Sequence, residues 1–70
     1  MTKVEQAMYN RKKWLNTSAV YDDIRFSQSA DEHCREQWRM NSVEATIIHT
    51  NFLATLTPAE RNEYWKRLED

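Results

Sequence analysis

Two histidines, one cysteine and a set of carboxylates are the side chains through which this chain could do chemistry. His33 and Cys34 are sequence neighbours, which first suggests a thiol nucleophile beside its base. On a helix, however, successive positions point about 100° apart, so the two cannot meet. His33 and His49 would be separated by about 24 Å along one continuous helix, too far for joint action. Glu32 and Glu36 have the one-turn spacing of a paired acid and base, but Arg35 and Arg39 interleave with them. That interleaving is the pattern of a solvated, charge-balanced helix face. A metal centre needs three or four converging ligands, and His33, Glu36 and Gln37 supply two at best. No catalytic residue, cofactor or metal is expected, and the chain does not read as an enzyme.

Binding chemistry is better represented. Arg11-Lys12-Lys13-Trp14 is the one basic cluster with an aromatic neighbour, able in principle to touch phosphates and stack a base. Three consecutive helical positions nevertheless spread around the circumference rather than forming one patch. A DNA-reading helix would also carry its basic residues where the central segment here is acidic. Three Trp, three Tyr and two Phe favour protein contact instead, because such side chains bury large area at small entropic cost. Tyr64 and Trp65 are adjacent, so one must face inward and the other outward; with Trp65 and Leu68 inward, Tyr64 projects. Trp14, Tyr21, Trp38 and Tyr64 are the expected anchors for a protein partner, with Arg35 and Arg39 as polar contacts.

Composition narrows the means of positioning these residues. There is no glycine, which excludes glycine-built hairpins, phosphate-cradling loops and dinucleotide fingerprints. Aliphatic residues are scarce, but the net charge is only -1 and aromatics and methionines supply bulk, so a folded chain is expected rather than disorder. One cysteine permits no internal disulfide, the first residues lack the pattern of a secretory signal, and no apolar run approaches the length of a membrane span. A cytoplasmic, single-domain protein occupying residues 1–70, without membrane association, is the expectation.

Helix starts are legible. Thr2-Lys3-Val4-Glu5, Ser29-Ala30-Asp31-Glu32 and Thr57-Pro58-Ala59-Glu60 each match the capping box, in which a hydroxyl and a glutamate satisfy each other's backbone amides. The third adds proline at the first helical position. A first helix is expected over about 3–15, ended by Asn16-Thr17-Ser18, and a short second helix over 19–28. A C-terminal helix follows over 58–68, with Glu63–Arg67 and Lys66–Asp70 as one-turn ion pairs.

The central segment, about 30–55, is the dominant element. Cys34, Trp38, Asn41, Ala45, Ile48 and Phe52 recur at heptad-like spacing, and the row keeps its phase across Asn41. One continuous helix is therefore favoured over a break at Asn41-Ser42-Val43-Glu44. About 26 residues would form a rod of about 39 Å, longer than the roughly 28 Å diameter of a compact chain this size. A second copy covers the excess economically, with Asn41, Ala45, Ile48 and Phe52 as the dimer seam. The expected fold is all-α, with three to four helices forming a helical homodimer. The expected function is a small protein-binding regulator or inhibitor acting stoichiometrically, of the kind that phage and mobile elements encode. The alternative is a nucleic-acid-binding transcriptional regulator using Arg11, Lys12, Lys13 and Trp14.

Overall fold

The computed structural model describes residues 1–69 and shows an all-helical chain: α1 (Lys3–Arg25), α2 (Glu32–Leu53) and α3 (Pro58–Glu69). Two of the three expected capping boxes form as read. The Thr2 hydroxyl accepts from the Glu5 N–H and Glu5 accepts from the Thr2 N–H, both at 3.1 Å. Thr57 and Glu60 repeat the exchange at 3.2 and 2.9 Å. These amide contacts hold the Glu5 and Glu60 carboxyls below the usual glutamate range, the backbone N–H being the main cause in each. The third start differs. Asp31, not Ser29, caps α2, its Oδ1 accepting from the Cys34 N–H at 2.7 Å. An aspartate is as good a cap as a serine and adds a negative charge to the helix's positive end.

The expected break at Asn16-Thr17-Ser18 does not occur; the helix expected over 19–28 is continuous with α1, which ends at Arg25. Two of these three polar side chains find partners without ending the helix. Thr17 Oγ1 donates back to the Lys13 and Trp14 carbonyls, each at 3.0 Å. The Ser18 hydroxyl meets that of Ser42 on α2 at 3.1 Å. α2, in contrast, passes through Asn41 unbroken, as the phase of its stripe implies. Glu63–Arg67 forms at 2.8 Å, an exposed pair; Asp70 of the other expected pair lies outside the described residues.

A continuous α1 changes the shape of the molecule. Ser18 opposite Ser42 and Trp14 opposite His49 show α1 and α2 running antiparallel as a hairpin. At 23 and 22 residues the two helices are nearly equal in length. The chain measures 45 × 23 × 17 Å with a radius of gyration of 14.6 Å, an elongated body rather than the compact one assumed from chain length. The first helix of the same chain therefore lies along α2 where a second copy was expected. α3 folds back across one end, packing on the N-terminal half of α1.

Burial is concentrated at that end. Val4, Ala7, Leu56 and Tyr64 form the core, with Met8, Phe52, Leu53 and Leu68 packed against it, while Ala45 and the polar Asn10 and His49 are also buried. Between Arg11 and Glu44 no side chain is fully buried. The far half of the hairpin is thus two helices deep, with no third layer to complete a core.

Candidate interaction surface

Three aromatic rings meet where the three helices converge. The His49 ring stacks on Trp14 with centroids 4.9 Å apart and planes 17° from parallel. On its other flank His49 Nε2 lies 3.1 Å from the Tyr64 hydroxyl. Tyr64 is fully buried (0%) and His49 nearly so (8%), and among the described residues the Tyr64 hydroxyl and His49 Nε2 are each other's side-chain partner. Burial, reinforced by the charge of Arg11, pushes the His49 pKa below the usual histidine range. A histidine and tyrosine at this distance can in principle exchange a proton. The pair links α2 to α3, and the stack of His49 on Trp14 extends the link to α1. Among the described residues no buried side-chain polar atom lacks a partner.

The junction corrects one expected anchor. Tyr64 faces inward and Trp65 is the exposed neighbour, at 55%. Tyr64 wins the inward position because His49 can satisfy its hydroxyl there, whereas Trp65 packs edge-on against Tyr64 at 5.2 Å. Trp14 is half-buried, held between His49 and Arg11, whose guanidinium lies 6.0 Å from the ring. Tyr21 and Trp38 are half-buried farther along the hairpin, Tyr21 with Arg25 5.9 Å over its ring. Arg35 reaches the Ser27 carbonyl at 3.4 Å, and exposed Arg39 pairs with Glu36, which lowers the Glu36 pKa. Trp14 and Tyr64 are thus brought together, through a histidine that spacing alone had set aside. Arg35 and Arg39 remain separately engaged.

The residues expected at a dimer seam are also redistributed. Ala45 is buried and Phe52 packs on the core of its own chain. Asn41 lies half-buried in a groove with Lys13, Thr17 and Trp38. Only Ile48 remains largely exposed. α1 occupies the face of α2 that this row was expected to offer to another molecule.

Among the described residues, two apolar surfaces bear on binding. On the side of α2 away from α1, Met40, Val43 and Ile47 form an exposed row beside Arg39, Glu44 and Ile48. Where α3 ends against α1, Met8, Tyr9, Leu15 and Leu68 line a shallow notch rimmed by Arg11 and Lys12. Neither surface was singled out in advance. Met40, Val43 and Ile47 are spaced three and four apart in the sequence, whereas the notch depends on where α3 lands. Among the described residues no cluster of His, Cys, Asp and Glu could hold a metal ion. No described helix is long and apolar enough to cross a membrane. Set against models of known families, curated proteins and solved structures, the chain matches none of them.

Proposed function

We propose that this chain is a small protein-binding regulator or inhibitor that acts stoichiometrically, by covering part of a macromolecular partner. One observation carries this reading: Tyr9 and Leu15 stand exposed beside Met8 and Leu68 in an apolar notch whose rim is basic. Exposed apolar surface with a charged border is the usual mark of a contact site in a small domain. Arg11 and Lys12 give it a polarity, favouring a segment that combines apolar anchors with acidic residues, such as one face of an amphipathic helix. The rival nucleic-acid reading needs the Trp14 ring free for a base, and that ring is taken up by His49 and Arg11.

The test compares proteins captured by the wild type and by Leu15→Glu, with helicity checked by circular dichroism. The expected result is a captured protein lost in Leu15→Glu while helicity is retained. Capture unaffected by the substitution would refute the assignment of the notch. Salt-sensitive binding of duplex DNA with no protein captured would favour the nucleic-acid alternative.

A further inference from the structure

The exposed row on α2 has a regularity that the notch lacks. Met40, Val43, Ile47 and Thr50 are spaced three, four and three apart and lie opposite the side packed on α1. Met40 is 56% and Ile47 54% exposed, with Val43 similar. In heptad terms the four occupy successive a and d positions. Arg39 then falls at g, on one shoulder of the row, and Glu44 at e, on the other. In a parallel pair of helices each g residue faces the e residue five positions later on its neighbour. Arg39 and Glu44 stand in that relation. In an antiparallel pair like shoulders meet, bringing Glu44 against Glu44 of the other helix and leaving Arg39 without a carboxylate.

From this charge match we infer that the row is the seam of a parallel two-fold homodimer, each α2 lying along α2 of a second copy. Met40, Val43 and Ile47 pack across the axis, and Arg39 pairs reciprocally with Glu44 of the other chain. The same sequence supplies both halves of the match, the self-complementarity that a two-fold interface requires. Arg39 is already held by Glu36 within its own helix, but that pair is half-exposed, and exchanging it for another carboxylate costs little. Glu36 occupies the preceding d position, where two copies would bring like charges together, so the seam ends there. Three apolar layers fall short of the roughly 800 Å² per partner of a standard interface. The association is therefore reversible and concentration-dependent.

The seam differs from the Asn41–Phe52 row, which the hairpin itself consumes, and it is independent of the α1–α3 notch. Sedimentation of the full chain over a range of concentrations tests it, with circular dichroism reporting helicity. Wild type is expected to shift from monomer to dimer as concentration rises. Arg39→Glu and Glu44→Arg, each alone, should raise the dissociation constant at least about tenfold, equivalent to ~1.4 kcal/mol. An equimolar mixture of these two variants should recover dimer, because both cross-chain pairs are then attractive. A wild type that stays monomeric throughout overturns the inference, whatever the variants do. So does an Arg39→Glu chain that dimerises as well as wild type, the outcome of antiparallel or purely apolar pairing. Failure here would leave capture through Leu15 untouched, so the two readings stand or fall separately.

Discussion

Tyr64→Phe removes one oxygen atom from the most deeply buried side chain of the molecule and leaves its ring in place. The lost contact is the 3.1 Å hydrogen bond to His49 Nε2. Stranding a buried polar partner costs about 1–3 kcal/mol. His49 keeps 8% of its surface exposed, enough for water to approach part of the ring, which places the expected cost at about 2 kcal/mol. A chain of this size draws only about 3–5 kcal/mol from its own core, so the loss is a large fraction of the total. For a domain of under a hundred residues each kcal/mol shifts Tm by about 4–8 °C, giving an expected drop of roughly 8–16 °C. Thermal unfolding followed by circular dichroism at neutral pH and low protein concentration measures it. Tyr9→Phe, at an exposed position, serves as the control and should leave Tm unchanged. In a His49→Phe background the same Tyr64→Phe change should cost much less, since its partner is already gone. A drop of under about 2 °C in the wild-type background would falsify the claim that this bond links α2 to α3.

Two further outcomes follow from the same structure. The unfolded chain binds a proton at His49 near pH 6.5 that the folded chain resists, so stability is complete above that pH. It falls as pH drops below it, at no more than about 1.4 kcal/mol per pH unit; His49→Phe should remove this part of the pH dependence, and parallel Tm–pH curves for the two proteins between about pH 7 and 5 would contradict it. Thr57→Ala should cost about 1 kcal/mol by opening the α3 capping box, whereas Ser29→Ala should cost nearly nothing because Asp31 is the cap, a contrast that paired denaturant titrations read directly.

The starts of α1 and α3 and the unbroken course of α2 were legible because they depend on local chemistry: a hydroxyl three residues before a glutamate, and a stripe that keeps its phase. The continuity of α1 was not. Asn16-Thr17-Ser18 carries the residue types of a helix end, and what keeps the helix going is a hydroxyl on another helix, Ser42, and back-bonding by Thr17. Nor could the order of Tyr64 and Trp65 be read. Either can face inward on helical geometry alone, and the choice is made by His49, a residue fifteen positions earlier. The same histidine lies one turn from Ala45 on the buried side of α2, so its place beside the stripe was visible; its partners were not. The row expected to form a dimer seam, Asn41 to Phe52, was read on the premise of a compact globule, and in a globule nothing indicates that α1 is long enough to cover that face.

The concentration of buried residues at one end of a 45 Å rod gives the molecule a gradient of local stability. Amides near Tyr64, His49 and Ala7 lie where burial is densest and are expected to exchange most slowly. Those around the α1–α2 turn, at Phe26 to Asp31, need only the tips of two helices to separate. Breathing of the hairpin therefore begins at the turn and dies out toward α3. The closed end acts as an anchor, and the open end as a clamp whose spread is set by how little it encloses.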